Sequence, residues 1–398
     1  MSAVPTSAVP TSVVPALVAP APVAVPSAVP VPAVAGSTGA RWGGLVLATI
    51  LDALLADPAR YHPVAGFGRL AARLEQTSHR DSRLAGAAHT ALLVAAVAVP
   101  AGVAEHGLLR RGAASSPSCG RSTWPSGGRF AATSGGRFAA TSGGRGSGTS
   151  GVALLVVTAG LGWVVLGGTS LGRAGRAIGT ALVAGDLAGA RALLPTLCGR
   201  DPAELDESAL ARGAIESIAE NTCDAVVAPL WWGAVAGLPG LAAYRAVNTL
   251  DAMIGHHSAR YERFGYAAAR LDDLVNLIPA RIGALAACAC APLVGGNPVD
   301  AYWVLRRDGR SHPSPNAGLA EAAFAGALGL RLGGELRYPY RVEYRPQLGF
   351  GRPPTGADVA AAARLSAATG ALSLAVTVLA AAVASRARTA LRARSRRG

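Results

Sequence analysis

An apolar stretch without a single charged residue runs from Val152 to Gly172, and it limits the folds that this chain can adopt. Its length matches the ~20 residues that an α-helix needs to cross the hydrocarbon core of a bilayer. Because a backbone in lipid must satisfy its own hydrogen bonds, the stretch predicts a membrane-spanning helix. Other apolar stretches approach the same length, at 43–56, 84–104, 225–244, 274–296 and 367–385.

The composition supports a chain embedded in lipid. Of the 398 residues, 51% are hydrophobic and only 15% are charged, and the mean hydropathy is +0.34. This balance is too apolar for an ordinary soluble domain. We therefore predict an all-α fold, a polytopic integral membrane helical bundle with long polar loops, located in the cell membrane as a multi-pass protein.

Two of the apolar stretches contain residues that interrupt membrane helices. The stretch 225–244 contains Gly237 and Pro239, and the stretch 274–296 contains Arg281. Either stretch can be broken, re-entrant or enclosed inside the bundle. The predicted number of spans is therefore four to six.

The sidedness of the loops conflicts with a simple count of six spans. An Arg-rich tail favours a cytoplasmic C-terminus by the positive-inside rule. Six full spans then place the loop 245–273 inside, and the loops 57–83, 173–224 and 297–366 outside. Polar candidate residues occur in all four loops, and one site needs one face. We therefore expect that at least one interrupted stretch does not span.

The predicted membrane catalytic domain extends over 41–385. Before it, residues 1–40 are rich in Pro, Ala and Val and carry no charge, which is typical of a disordered leader. Within it, 112–150 repeats the unit Ser-Gly-Gly-Arg-Phe-Ala-Ala-Thr on a Gly/Ser-rich background, which predicts a flexible, low-complexity loop insertion. The Arg-rich tail, 386–398, follows the domain.

Composition disfavours two other classes of protein. The net charge of +14 comes from scattered Arg residues, and aromatic residues make up only 5% of the chain, so we expect no nucleic-acid partner. The cysteines form no Cys-x-x-Cys pair, so neither a zinc site nor a disulfide framework is predicted. They are Cys119, Cys198, Cys223, Cys288 and Cys290.

The segment 211–224 is the richest in chemistry, because Glu216, Glu220 and Asp224 follow at i, i+4 and i+8. On a helix this spacing lines three carboxylates along one face. Like charges this close repel one another unless a cation or a substrate ammonium lies between them, and the apolar run that follows makes desolvation costlier. The segment suggests a magnesium or amine site. A solvated helix end paired with Arg212 is an equally good interpretation.

Carboxylates and amides alternate with apolar residues in the next polar segment. Asn248 and Asp251 share a helix face, as do Asp272 and Asn276. Oxygen ligands at this spacing suit magnesium, which usually keeps several waters and bridges to phosphate.

Three arginines of the same segment are candidate anion ligands. Arg260, Arg270 and Arg281 can each hold phosphate or carboxylate through a bidentate fork. Alternatively, they neutralise Asp272 and Asp273, and for any single arginine this alternative is at least as good.

Asp308 opens a third polar segment that leads into an Ala/Gly-rich helix. Ser314 and Asn316 flank a proline in its turn, where Asn316 and the following helix N-terminus can offer donors to an anion. Asp308, His312 and Glu321 are candidate acid, base or metal groups. The alternative is a capped loop without chemistry.

Near the start, Asp52 lies inside a predicted apolar helix and Asp57 lies at its end, before Pro58. An acid within a membrane segment is costly and is usually functional or paired. The chain has no phosphate loop, kinase signature, nucleophile elbow or dinucleotide fingerprint. Any ATP site is therefore not one of the common ones.

Four ordered motifs together resemble the adenosylcobinamide-phosphate synthases, also called cobyric acid amidating proteins. They read LDALLADPARYHPV, ESIAENTCDAVVAPL, AYRAVNTLDAMIG with RYERFGYAAARLDDLVNLIPAR, and DGRSHPSPNAGLAEAAFAGALGLRLGG. The resemblance covers roughly 45–75 and 205–335. Two departures are small: Ala56 stands where the family more often has Gly, and Cys223-Asp-Ala225 stands for Ser-Asp-Gly.

This resemblance implies an ATP- and magnesium-dependent ligase of cobalamin biosynthesis. Its reaction joins aminopropanol, or the O-phosphate of aminopropanol, to the free propionate of adenosylcobyric acid as an amide. The implied partners are this corrinoid, the amine, the lipid bilayer and other membrane enzymes of the pathway.

The candidate residues divide by role. Carboxylates are assigned to catalysis, at Glu216, Glu220, Asp224, Asp272 and Asp273, and the first three are also the candidate metal ligands. Substrate and phosphate contacts are assigned to Asn221, Asn248, Asp251, Arg260, Arg270, Asn276, Arg281, His312, Ser314 and Asn316.

Two other functions fit a membrane protein with polar loops. A polytopic transporter predicts inverted repeats and charges near the middle of the spans, and the sequence shows no such repeat. A scaffold for corrinoid pathway enzymes predicts that the acidic cluster can be neutralised without loss.

Overall fold

The computed structural model describes residues 37–58, 62–114, 145–256, 258–338 and 341–395. Most of the predicted leader and of the predicted loop insertion lies outside the described residues. Helices nevertheless cover 37–40, 112–114 and 145–150, so ordered structure enters both predicted segments at their edges. The Arg-rich tail is helical up to Ser395.

The described residues are predominantly helical, as predicted. The helices are α1 Ser37–Leu55, α2 Pro63–Ser78, α3 Arg83–Ala114, α4 Arg145–Val165, α5 Gly168–Val183, α6 Leu187–Leu193, α7 Glu207–Thr222, α8 Ala228–Ile254, α9 Tyr266–Cys290, α10 Pro298–Asp308, α11 Ala317–Leu328 and α12 Gly356–Ser395. Strands β1 Leu332–Tyr338 and β2 Arg341–Leu348 pair as an antiparallel hairpin. The predicted long loops therefore contain α2, α5 to α7, α10 and α11.

Six helical stretches of the described chain are long and apolar enough to cross a membrane, at the upper end of the predicted count. Large apolar side chains on them are exposed, including Leu54, Val103 and Val156. Exposed apolar faces of this extent suit lipid rather than water. The protein is a multi-pass helical membrane protein. The stretches are Thr38–Leu55, Arg83–Arg111, Thr149–Val183, Glu207–Ile254, Tyr266–Val294 and Gly356–Ala384.

The fourth stretch is not a single rod, because the chain reverses its direction at Gly237. The backbone there has φ 69° and ψ −149°, which is not helical. The hydroxyl of Tyr244 lies 3.5 Å from a carboxylate oxygen of Asp224. Twenty residues separate the two, and in one straight helix they would be roughly 30 Å apart. The stretch 225–244 is thus broken, and α8 consists of two antiparallel halves, which we call the α8 hairpin.

The α8 hairpin places the predicted loops 173–224 and 245–273 on the same side, which removes the conflict between them. It brings the residues before it, at Asp224, to the same end as the residues after it, at Asn248 and Asp251. Its turn lies at the opposite end, beside the ion pair between Arg41 of α1 and Glu105 of α3, whose nearest atoms are 2.5 Å apart. A Cβ on Gly237 would lie 2.4 Å from both carboxylate oxygens of Glu105, so only glycine fits the turn.

The largest buried cluster joins α5, α7, α9, α11, α12 and the β-hairpin. Ile178, Ile215, Phe324 and Leu365 are among its fully buried members. Small residues dominate α11, and they allow this helix to pack closely against α9 and α10. The cluster therefore holds α7 and α11, and with them Glu216 and Glu321, in one core.

Asp52 pairs with a helix terminus. Its Oδ2 accepts hydrogen bonds from the backbone N–H of Thr169, at 3.0 Å, and from the hydroxyl of Thr169, at 3.1 Å. This carboxylate therefore caps the N-terminus of α5, where N–H groups lack partners within the helix. Of the two readings for an acid in a membrane segment, Asp52 shows the paired one.

Candidate functional site

Acidic and amide side chains meet at the open end of the α8 hairpin, beside α9. Asn276 donates to Asp272 at 2.9 Å and accepts from the Tyr244 hydroxyl at 3.0 Å. Asn248 lies 3.5 Å from Asp272. The charges of Asp251 and Asp272 both act on Asp224.

We call Asp224, Asp251 and Asp272, together with Asn248 and Asn276, the acidic cluster. Asn248 and Asp251 lie in α8, Asp224 lies in the π-helical turn Cys223–Val227 just before α8, and the other two lie in α9. The reversal at Gly237 and the contact between α8 and α9 therefore build the cluster. All but Asn276 are only half-buried, so the cluster is open to a ligand.

Glu220 lies between this cluster and a second, basic region. It is exposed, although nearly every other residue from Leu210 to Thr222 is buried or half-buried. The charges of Arg345 and Arg200 act on it from one side, and Asp224 lies one helical turn away on the other. Glu220 is therefore the position of this otherwise buried helix that solvent and ligands can reach, and we call the space at it, beside the acidic cluster and the basic region, the cleft.

The basic region contains Arg200 and Arg345. Arg200 forms a buried ion pair with Glu216, whose other carboxylate oxygen accepts the N–H of Gly333 at 2.6 Å. Arg345 comes from β2 and lies 3.8 Å from Glu321 of α11. Glu216 is 2% exposed, so the solvated helix end considered from the sequence is wrong for this residue.

A β-bulge in the hairpin directs the backbone N–H of Gly333 toward Glu216. The register of the hairpin shifts between Leu332 and Gly334, and Gly333 has φ 79°. A Cβ at Gly333 would lie 2.1 Å from the carbonyl oxygen of Pro346, so glycine is required there. The bulge turns one N–H out of the ladder and toward the buried carboxylate.

Burial sets the protonation of two groups in the basic region. Burial, with the positive charge of Arg345 adding to it, lowers the pKa of His312 to about 4. Burial, followed by the charges of Glu216 and Glu220, holds the pKa of Glu321 well above its usual range. At neutral pH His312 is therefore uncharged, and burial disfavours the charged form of Glu321. Nη1 of Arg345 lies 2.9 Å from Nε2 of His312.

Several predicted ligands have other partners. Arg260 is exposed and forms an ion pair with Glu75 at 2.8 Å, and Arg281 is exposed and donates to a backbone carbonyl of its own helix. Arg270 is exposed and lies 3.3 Å from Asp273, so the neutralising role applies to this pair. The structure does not bring these three arginines into the acidic cluster.

Polar residues of the third segment hold the loop before α11. Ser314 accepts the N–H groups of Asn316 and Ala317 and thereby caps the helix. Asn316 donates to the backbone carbonyl of Asp273 at 2.8 Å. Asn221 is also bonded locally, to Ser217. Unlike Ser314, Asn316 and Asn221, His312 contacts the basic region, at Arg345.

The predicted metal trio is not assembled as a ligand set. Glu216 pairs with Arg200, while Glu220 and Asp224 face the cleft. Among the described residues, no three His, Cys, Asp or Glu side chains are grouped so that they could hold a metal ion by themselves. Magnesium commonly uses one or two carboxylates, with water and phosphate completing its shell, and the oxygen donors of the acidic cluster fit that habit.

Arg200, Arg345 and Tyr244 are site residues that sequence reasoning missed. Arg200 and Arg345 lie far from the acidic motifs in sequence and look like ordinary loop and strand arginines. The signal that could have pointed to them is the pair of acids Glu216 and Glu220, for which the segment 211–224 offers only Arg212. Buried carboxylates need cations, and the acidic segments offer too few.

The fold and the site together define a multi-pass helical membrane protein in which clustered carboxylates lie beside the buried Arg200 and the half-buried Arg345. The family model described as CobD/Cbib protein matches residues 45–366. The chain therefore belongs to this family, and its role lies in cobalamin biosynthesis.

Three relatives named "Cobalamin biosynthesis protein CobD" are similar to the chain, and two of them cover most of it. The protein of Mycobacterium tuberculosis is 49% identical over 323 residues, which is 81% of this chain and 90% of the relative. The protein of Geobacter metallireducens is 40% identical over 312 residues, 77% of this chain and 86% of the relative. That of Rhodobacter capsulatus is 54% identical over 185 residues, 46% of this chain and 58% of the relative. No solved structure matches the chain.

Proposed function

We propose that the protein is an ATP-dependent ligase that joins aminopropanol, or its O-phosphate, to the free propionate of adenosylcobyric acid. The observation that carries the proposal is the cleft at Glu220, with the acidic cluster on one side and Arg200 and Arg345 on the other. Amide formation from a carboxylate needs both kinds of group, because it combines a phosphorylated acid with an amine. The corrinoid and the amine come from the family resemblance.

The acidic cluster is the proposed site for magnesium. Asp224, Asp251 and Asp272 supply hard oxygen donors, and the amide oxygens of Asn248 and Asn276 lie among them. Bound magnesium would neutralise charge on the phosphates of ATP. The residues themselves hold the cluster together before any ligand binds, through the hydrogen bonds of Asn276 to Asp272 and of Tyr244 to Asn276.

The basic region is the proposed site for the reacting anions. In the first step, a propionate oxygen attacks the γ-phosphorus of ATP, and the bond from that phosphorus to ADP breaks. The product is an acyl phosphate. Arg345 and Arg200 lie near Glu220, where they stabilise the charge that develops on the transferred phosphoryl group. Arg200 is held by Glu216, which fixes its position.

In the second step, the amine nitrogen attacks the acyl carbon, the new C–N bond forms and phosphate leaves. The nitrogen must lose a proton as it attacks, and Glu220 is the accessible carboxylate that accepts it. Glu321 is 1% exposed, so the amine reaches it less readily than Glu220. His312 is uncharged and engaged by Arg345, so it positions that arginine rather than exchanging protons.

The test is a complete reaction with purified protein. The chain in detergent is mixed with adenosylcobyric acid, aminopropanol phosphate, ATP and magnesium, and the corrinoid product and ADP are measured. We expect one ADP for each amide formed. Glu220→Gln should lower kcat by 10²-fold or more, on the order expected for loss of a general base. Arg281→Gln is the matched control, since Arg281 is exposed and outside the cleft.

One outcome would overturn the proposal, and a second would overturn only the role of Glu220. If the folded wild type forms no amide with either aminopropanol phosphate or aminopropanol, the protein is not this ligase, and the transporter and scaffold alternatives are left. A Glu220→Gln variant as active as Arg281→Gln removes our assignment of the proton acceptor while keeping the ligase.

A further inference from the structure

Helix α10 carries two apolar faces, although a helix at a protein surface in water normally has one. The first face is formed by Ala301, Val304 and Leu305, which are buried against the core. This face packs on α11 and accounts for the position of the helix.

The second apolar face of α10 points away from the protein. Val299, Tyr302 and Trp303 are 63%, 46% and 69% exposed, and they follow at i, i+3 and i+4. Arg306 continues the same stripe at i+7 and is exposed. A single exposed apolar residue needs no explanation, but a helical stripe of three large ones does.

We propose that α10 lies in the headgroup region of the bilayer, with Tyr302 and Trp303 inserted at the boundary between headgroups and acyl chains. The stripe from Val299 to Arg306 is then a lipid-binding surface, distinct from the helices that cross the membrane. Its partner is anionic phospholipid.

Continuity with the membrane-spanning surface is the first argument. The apolar stretch that contains α9 ends at Val294 and exposes Leu285 and Leu293, which are suited to lipid. Only residues 295–297 separate it from α10, and three residues span about 10 Å at most. The start of α10 therefore lies close to the level at which the preceding span ends.

The residue types supply the second argument. Trp and Tyr have an apolar ring and a polar group, and they concentrate where hydrocarbon meets water. Arg306 and Arg310 are both exposed, and no carboxylate of the described residues forms an ion pair with either. Exposed arginines beside inserted aromatic residues are typical of helices that bind anionic membrane surfaces. A water-facing α10 would leave the aromatic residues without a role.

The test measures how deep residue 303 lies. A nitroxide is attached at Trp303→Cys in the full chain, with Cys119 and Cys198 replaced by Ser, in vesicles of phosphatidylcholine and phosphatidylglycerol. Collision rates with oxygen, which concentrates in lipid, and with a water-soluble nickel complex are compared. Val156→Cys on α4 is the lipid reference and Ala203→Cys, in the loop before α7, is the aqueous reference.

We expect the ratio of oxygen to nickel collisions at residue 303 to fall between the two references, several-fold above that at residue 203. A ratio equal to that of Ala203→Cys would overturn the proposal. Low collision rates with both reagents, together with dipolar broadening between labels, would show that a second copy of the chain covers the surface, and would also overturn it. Thermal unfolding confirms that each variant is folded before labelling.

Discussion

The reversal of α8 at Gly237 makes the sharpest prediction, because replacing this glycine by alanine should disturb both the backbone and a buried ion pair. A φ of 69° with ψ of −149° is essentially restricted to glycine, and forcing another residue into such a region costs roughly 1–3 kcal/mol. The new methyl group would also lie 2.4 Å from both oxygens of Glu105, which must then leave Arg41. Removing one partner from a buried pair costs about 3–5 kcal/mol.

Together these effects predict that Gly237→Ala lowers the free energy of unfolding by roughly 4 kcal/mol, taking the low end of each range because Arg41 is partly exposed. For a chain of this size the midpoint of thermal unfolding should fall by roughly 5 °C. The measurement is differential scanning calorimetry or intrinsic fluorescence in one detergent. Amide formation should fall as well, since the turn aligns Asp224 with Asn248 and Asp251.

Gly160→Ala is the matched control. Gly160 lies within α4, and a Cβ there would meet no atom within 4 Å. Alanine should therefore be neutral or stabilising by about 0.5–1 kcal/mol through its better helix propensity. If Gly237→Ala unfolds at the same temperature as Gly160→Ala, the chain does not reverse at residue 237 and the acidic cluster is not built as described.

Three further predictions concern single side chains. Ala56 has φ 55°, a left-handed conformation in which a Cβ costs about 1–2 kcal/mol, so Ala56→Gly should raise the midpoint of thermal unfolding by about 1–2 °C. A decrease would contradict the turn seen after α1. Arg200→Met should lower the free energy of unfolding by about 3–5 kcal/mol, measured by thermal unfolding, because Glu216 is left buried without its cation. Combining Arg200→Met with Glu216→Gln should recover most of that loss. The pKa of His312 is lowered from 6.5 to about 4, so between these pH values the unfolded chain binds a proton that the folded chain does not bind. The resulting stabilisation of about 3 kcal/mol is complete above pH 6.5 and is lost as the pH falls to about 4. A His312→Asn variant whose stability falls equally at acid pH would refute this assignment.

The fate of the predicted arginine ligands shows where sequence reasoning reached its limit. Arg260, Arg270 and Arg281 share a segment with the acidic residues, and proximity in sequence made them the natural candidates. In the fold, Arg260 pairs with Glu75, which is 185 residues away, while Arg200 and Arg345 approach the cleft from a loop and a strand. Which cation reaches which carboxylate depends on contacts between distant elements, and no local pattern encodes them.

The expectation about the interrupted stretch 225–244 has a different basis. Glycine and proline mark places where a membrane helix can break, so the sequence identified Gly237 as one of the candidate positions. It could not show that the break is a complete reversal, because that depends on Glu105 of α3 and on the packing of the two halves against each other. The position of the break is encoded locally by glycine and proline, whereas the angle between the two halves of α8 depends on contacts with other elements.

By itself, the sequence determined that this chain is a helical membrane protein with carboxylates and amides at spacings suited to magnesium. Length and hydropathy of the apolar stretches are enough for the first conclusion, since lipid leaves the backbone no alternative to helices. Only the tertiary structure decided that Asp224, Asp251 and Asp272 meet, that Glu216 is an internal ion-pair partner, and that Glu220 faces an open cleft. Burial and charge pairing are properties of the packed chain, and the reversal at Gly237, together with the packing of α9 on α8, joins the two acidic segments into one site.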